Sequence, residues 1–143
     1  MYTNEFPFAT PAYDESIQLR HEVLRKPLGI SFEASDLAEE YNQIHLGCYS
    51  DSGKLLACLV LLIVDDKMLK MRQVAVDPLY HKKGIGSELV AASEVYAATH
   101  NYKTMALHAR VEAVPFYLRL GYKKVGKVFT EVGIKHYKMK KQM

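Results

Sequence analysis

Apolar and polar positions group along this chain into runs that name most of its elements. The longest apolar run, Leu55 to Val64, holds almost no polar residue and predicts a central strand. Gln43 to Tyr49 predicts a neighbouring strand, joined to it through the tight turn Ser50-Asp-Ser-Gly-Lys54. After a second turn at Asp65-Asp66-Lys67, Met68 to Val76 reads as a third strand. The period then changes: Ile85, Leu89, Ala92, Val95 and Tyr96 recur at helical spacing, predicting a helix from Gly84 to about His100 that Asn101-Tyr102 ends. Thr104 to Ala109 predicts a strand, Val111 to Leu120 a helix stopped by Gly121, and Tyr122 to Phe129 and His136 to Lys141 two closing strands. In those last strands Val125, Val128, Tyr137 and Met139 supply the apolar alternation.

The front of the chain is less regular. Phe6 to Ala9 predicts an edge strand, and Asp14 a helix cap for a segment running to about Lys26, with Ile17, Val23 and Leu24 on its apolar side. Pro27 and Gly29 stop that helix, and Ser35 or Asp36 can cap a short second one in the acidic stretch 30–42. Hairpins first, then strand–helix–strand units, predict an α/β fold: a mixed sheet with helices on both faces. No repeat or low-complexity linker interrupts the 143 residues, so the expectation is a single domain over 1–143.

The segment from Met71 to Val90 carries the chemistry. An apolar strand ends in Asp77-Pro78, a basic loop with Lys82 and Lys83 follows, and Gly84-Ile85-Gly86 opens the long helix. A helix start offers free N–H groups and the positive end of the helix dipole, and glycines beside it admit a phosphate. The reading is a phosphate or pyrophosphate cradle. The dinucleotide fingerprint does not fit, since Leu89 stands where a third glycine would be sought, and the Gly-Lys-Ser/Thr ending of a P-loop is absent.

Composition changes the picture only by exclusion. Hydrophobic content of 49%, charged content of 24% and a net charge of +3 are ordinary for a globular protein. No basic stripe speaks for nucleic acid, and the expectation is no nucleic-acid partner. The apolar run Leu55–Val64 is too short to span a bilayer, and the first residues lack a signal-peptide pattern, so no membrane association and a cytoplasmic location are expected. The six histidines show no metal-ligand spacing, so no metal is expected. Cys48 and Cys58 fall in adjacent strands out of opposition and read as reduced, semi-buried residues.

Three ordered segments resemble the GNAT family of N-acetyltransferases. His81-x-x-Gly84-x-Gly86 matches that family's Gln/Arg-x-x-Gly-x-Gly/Ala motif, with His81 standing where Gln or Arg is preferred. Ala113 to Tyr122 matches A-x-x-F-Y-x-x-x-G-F/Y. Val128 to Met139 matches an F-x-E-x-G-I-x-H-x-x-M ending found in a subgroup of small, mostly uncharacterised bacterial members, and Leu19 to Arg25 looks like the family's first helix.

The resemblance implies a central, mostly antiparallel sheet with a splayed parallel pair. It also implies acetyl-CoA as co-substrate and an amine on a small molecule or peptide as acceptor. By the same resemblance the cofactor is held by the backbone of Val74, Ala75 and Val76 and by the loop His81, Lys82, Lys83, Gly84, Ile85, Gly86 and Ser87. Tyr117 is the candidate general acid, the alternative being an aromatic packed beside Phe116 and Leu120. His108 stands where the subgroup often has Asn and is the candidate base, the alternative being a strand-end histidine that touches only cofactor or solvent. Glu131, His136 and Arg72 are candidates for acceptor binding. Arg20 and Arg25, on the first helix, are read as a solvated face. A homodimer through the C-terminal strands would be ordinary for such proteins. Two alternatives stay open: a CoA-binding sensor without turnover, and transfer of another acyl group.

Overall fold

A computed structural model describes residues 1–143. Seven strands and four α-helices follow one another as β1 Tyr2–Phe6, α1 Pro11–Arg20, α2 Ala34–Ala38, β2 Ile44–Tyr49, β3 Leu55–Ile63, β4 Met68–Val76, α3 Ile85–Thr99, β5 Thr104–Arg110, α4 Val114–Arg119, β6 Lys123–Glu131 and β7 Ile134–Gln142. The strand order is β1-β2-β3-β4-β5-β7-β6. β4 and β5 pair in parallel, while β1–β2, β2–β3, β5–β7 and β6–β7 are antiparallel. The expected mixed α/β sheet is therefore the observed one. No helix is long and apolar enough to cross a membrane.

Contacts gather the chain into two compact units, residues 1–62 with 73–93, and residues 63–72 with 94–143. In the first unit, β3 is buried from Leu55 to Leu61, as its unbroken apolar run demands. Leu19, Val23 and Leu24 pack onto Tyr49, Leu55, Cys58 and Ala75. Cys48 pairs across the ladder with Ala57 and Cys58 with Gly47, and both thiols are free. They are fully buried rather than semi-buried, because β2 is covered along its whole length.

The front of the chain departs most from expectation. β1 runs Tyr2–Phe6, not Phe6–Ala9, because Tyr2 to Phe6 pair with Tyr49 to His45 while Pro7 has no N–H to donate and Ala9 takes a φ of 59°. α1 begins at Pro11 under a Thr10 cap, whose hydroxyl accepts from the Tyr13 N–H at 3.3 Å. Asp14 therefore lies inside the first turn instead of capping it. The helix loosens into a π turn over His21–Arg25 and a 3₁₀ turn over Lys26–Leu28, which Gly29 closes at φ 69°. Glu33, not Ser35 or Asp36, takes the cap position of α2, with extended backbone and no side-chain cap bond.

The buried stripe of α1 is polar: Tyr13, Ser16 and Arg20. Arg20, read from sequence as solvated, is 1% exposed. Its two terminal nitrogens donate to the two oxygens of Glu40 at 2.8 and 2.6 Å, the Tyr13 hydroxyl donates to Glu40 at 2.8 Å, and Phe32 lies over the guanidinium at 4.8 Å. A bidentate pair of this kind tolerates burial because each charge is met by the other, and Glu40 takes a further bond from Tyr13, although Arg20 Nε is buried without a partner. His45 Nε2 donates to the Glu40 carbonyl at 3.1 Å, which leaves a neutral ring whose burial holds its pKa below the usual value.

In the second unit, Glu94 ties three elements together. It accepts from the Tyr122 hydroxyl at 2.8 Å and from Lys141 at 3.0 Å, and Lys141 also donates to the Leu120 carbonyl at 2.8 Å, at the open end of α4. The buried stripe of α3 is Ile85, Leu89, Ser93 and Ala97; Val95 is 65% exposed, one step off that stripe. Val125 and Val128 are exposed too, since β6 is an edge strand whose register shifts between Val125 and Phe129, with Gly126 at φ 79°.

The Arg20–Glu40 pair yields a stability prediction. Glu40→Gln or Arg20→Met should destabilise the fold by about 3–5 kcal/mol in chemical denaturation, since each leaves a buried charge unmatched. Burial alone would raise the Glu40 pKa, but hydrogen bonds and charge from Arg20 overcome it and hold the carboxyl below its ordinary range. A depressed carboxyl stabilises above its unfolded pKa, and that stability fades as pH falls through the folded value. The acid limb of the stability curve should therefore flatten in Glu40→Gln; an unaltered limb would show that Glu40 is not its source.

Candidate active site

The first unit holds the loop that the sequence marks as a candidate cradle. Val74, Ala75 and Val76 end β4. Asp77 turns the chain, its carboxylate accepting from the Leu79 N–H at 3.0 Å while its own N–H donates to the Leu56 carbonyl at 2.9 Å. Pro78–Tyr80 form a 3₁₀ turn, and the loop His81–Gly84 then feeds α3. His81 Nε2 donates to the Val76 carbonyl at 3.0 Å, so its imidazole staples the loop to the strand end. Lys82 and Gly84 take φ values of 62° and 78°. The first bond of α3 runs from the Glu88 N–H to the Gly84 carbonyl at 3.0 Å. The N–H groups of Ile85, Gly86 and Ser87 precede that bond and are the free donors of a helix start.

A Cβ placed on Gly84 would meet nothing within 4 Å. Glycine is needed there for its backbone angle, and the space before the loop is open. Cations surround the turn: Lys54 and Lys83 lie 5.0 and 5.7 Å from the centre of the Tyr80 ring, and Lys54 donates to the Tyr80 hydroxyl at 3.3 Å. Free N–H groups, a helix dipole, open space and Lys82, Lys83 and Lys54 together suit a pyrophosphate. Sequence reasoning found the loop but neither Lys54, which joins it from the β2–β3 turn, nor the contact that Tyr80 makes with it.

The second unit gathers His108, Glu131 and His136 and adds a residue that sequence reasoning missed. His108 Nδ1 lies 3.0 Å from Glu131 Oε2 and 3.3 Å from Lys70 Nζ. The His108 ring meets Phe129 edge-on at 4.9 Å, and Phe129 stacks on His136 at 5.9 Å. His136 is buried, its Nδ1 donating to the Ile134 carbonyl at 2.8 Å. Lys70 was legible only as a lone cation between Leu69 and Met71 in an apolar strand. Arg72, its neighbour two residues on, lies within Coulomb range of it. Gln73, the next residue, has a φ of 56°.

Nδ1 of His108 has one site for a proton and two claimants. An ionised Glu131 requires Nδ1–H, which leaves Nε2 as a bare, basic nitrogen. A Lys70 ammonium instead requires an unprotonated Nδ1. The shorter contact, to Glu131, favours the first arrangement. Burial depresses the Lys70 pKa most, with Arg72 and Lys138 adding to it and Glu131 opposing. Burial likewise depresses His108, helped by Lys70 and His136 and opposed by Glu131.

Tyr117 sits on α4, 7% exposed, edge-on to Phe116 at 5.0 Å and to Tyr122 at 5.8 Å. Burial pushes its phenol up to about 12, so it holds its proton throughout the neutral range.

The His108 geometry predicts an NMR titration. His108 should titrate below the ordinary histidine value, Lys70→Met should raise it by removing a neighbouring cation, and Glu131→Gln should lower it further. Shifts of the opposite sign would dismantle the Lys70–His108–Glu131 arrangement.

Comparison with known proteins accords with this architecture. A family model described as an acetyltransferase (GNAT) domain matches residues 32–143. A UPF0039 protein of Schizosaccharomyces pombe is 30% identical over 101 residues, which cover 69% of this chain and 67% of that protein. Matches to two Bacillus subtilis proteins span 50% of their lengths. The crystal structure of a Lactobacillus plantarum protein assigned as an N-acetyltransferase superposes with a TM-score of 0.85 at 23% identity, covering 99% of both chains. That of an aminoglycoside 6'-N-acetyltransferase complexed with coenzyme A gives 0.82 at 18% identity, covering 99% of this chain and 97% of that one. The chain belongs to the GNAT acetyltransferase family and is an acyltransferase.

Proposed function

We propose that this protein transfers an acetyl group from acetyl-CoA directly to a primary amine of a small molecule or peptide. The observation that carries the reading is the loop His81–Ser87, where the positive φ of Gly84 opens a helix start toward an anion. Lys82, Lys83, Gly84, Ile85, Gly86 and Ser87 would hold the pyrophosphate, with His81 fixing the loop through Val76. Bound acetyl-CoA supplies an activated thioester carbonyl. Backbone N–H groups of Val74, Ala75 and Val76 would polarise that carbonyl.

The remaining residues handle protons and the acceptor. His108, with Nδ1–H held by Glu131, offers Nε2 to take the proton from the acceptor ammonium, freeing the lone pair that attacks. Tyr117 would return a proton to the departing sulfur as the carbon–sulfur bond breaks; a buried, fully protonated phenol is in the right form to do so. Arg72, Glu131 and His136 would line the acceptor side.

Calorimetric titration with acetyl-CoA tests the cradle. Wild type should bind it far better than ATP, and Gly84→Glu should weaken binding by at least roughly tenfold, since it sets a carboxylate and a strained backbone at the anion site. Undiminished affinity in Gly84→Glu would remove the cradle from the mechanism. In turnover, Tyr117→Phe should lower kcat by about 10²–10⁴-fold; an unchanged kcat would remove Tyr117 as the acid. Binding without acetylation of any amine would instead make the protein a CoA sensor.

A further inference from the structure

Three buried side-chain atoms lack a hydrogen-bond partner: Arg20 Nε, His45 Nδ1 and Gln73 Oε1. The first two belong to one cluster, where other nitrogens of the same side chains bond to Glu40. Their cost is carried within a network that joins α1 to β2. Gln73 stands outside that cluster, on β4. Its backbone takes a φ of 56°, which a residue with a side chain holds only under constraint. Glycine would take the same angle without strain, and an apolar side chain would leave no unmet acceptor. Glutamine is the worse choice for the free protein on both counts.

A buried polar atom in that state calls for a partner that the free protein does not hold. An amide oxygen accepts, so the partner must donate. Position narrows the donor. The parallel register of β4 with β5 runs from Met68 to Met71, and Gln73 lies beyond it. Val74, Ala75 and Val76 follow, the segment whose N–H groups are assigned above to the thioester carbonyl. Gln73 is one residue, about 3.3 Å of strand, before the first of those donors. In acetyl-CoA the N–H group nearest the thioester belongs to the amide two carbons from the sulfur. A thioester held at residues 74–76 brings that amide to the same stretch of strand.

Resting on the acetyl-transfer reading above, we propose that Gln73 is a cofactor-binding residue whose Oε1 accepts the hydrogen bond of the CoA amide nearest the sulfur. The free protein carries the unmet acceptor, and the bound cofactor meets it. The contact fixes the arm beside the thioester, so that its carbonyl lies against the N–H groups of residues 74–76 rather than swinging past them. No charge is involved, which suits a neutral amide.

Gln73→Met and Gln73→Gly test this in the full-length protein. Both remove the acceptor; methionine keeps an unbranched side chain, and glycine also relieves the backbone. Without ligand, Gln73→Met should be at least as stable as wild type in chemical denaturation, because it deletes an unmet acceptor. In calorimetry both variants should bind acetyl-CoA about fivefold more weakly than wild type. Adenosine 3'-phosphate 5'-diphosphate, which is CoA without its amide-bearing arm, should compete equally well for all three proteins. Acetyl-CoA affinity equal to wild type in both variants, or an equal loss for both ligands, overturns the proposal. So does a fall in the stability of Gln73→Met, which would mean that the buried atom is already paired in the free protein. If wild type itself does not bind acetyl-CoA, the transferase reading fails and this proposal with it. A wild type that binds, beside variants that bind as well, strikes the proposal alone.

Discussion

Much of the structure turns on one backbone angle in the middle of β4. Gln73 has φ 56°, left-handed for a residue with a side chain, within a strand that otherwise runs Met68–Val76. Such a conformation costs free energy and survives only where its surroundings hold it. Its amide oxygen is buried without a partner, a second cost at the same position. The division between the two compact units falls at this residue. Before it, Met68 to Met71 run in a regular parallel ladder with β5 and place Lys70 beside His108. After it come Val74, Ala75, Val76 and the anion loop. An unbroken ladder would have satisfied more backbone groups, and strain kept at such a position is characteristic of functional sites.

The two units solve opposite electrostatic problems. In the first, Arg20 and Glu40 are buried face to face in a bidentate pair that Tyr13 and Phe32 join, with only Arg20 Nε left without a partner. Its product is a fixed α1, which sets the polar stripe inward and leaves Leu19, Val23 and Leu24 to pack on the β3 end. In the second, His108 lies between Lys70 and Glu131, and the group stays partly exposed.

How much of this could be read from sequence depended on the range of the interaction involved. β4 and the start of α3 were legible because turn chemistry at Asp65-Asp66 and at Gly84-Ile85-Gly86 marks them locally. β1 was misplaced because Tyr2-Thr-Asn-Glu-Phe6 is polar and becomes a strand only by pairing with β2. The inward turn of Arg20 was hidden because its partner lies twenty residues away in an acidic stretch with no pattern of its own. The glycine loop could be named because motif spacing carries it, and His108 because of its place at the end of a strand and the family resemblance. Lys70 could not, since its meaning depends on a parallel register that the sequence does not print. The exposure of Val125 and Val128 followed from the edge position of β6, which is likewise a property of strand order.

The charges around His108 and the basicity of its ring are one problem, not two. His108 is held below the ordinary histidine range first by burial, then by the neighbouring cation Lys70 and by His136, with Glu131 opposing. An imidazole so depressed stays neutral near neutral pH and is a weak acceptor of protons. Glu131 and Lys70 act on that ring in opposite senses, the carboxylate favouring its charged form and the cation its neutral one. The opposition follows from a single placement, that of Lys70 one strand away from His108.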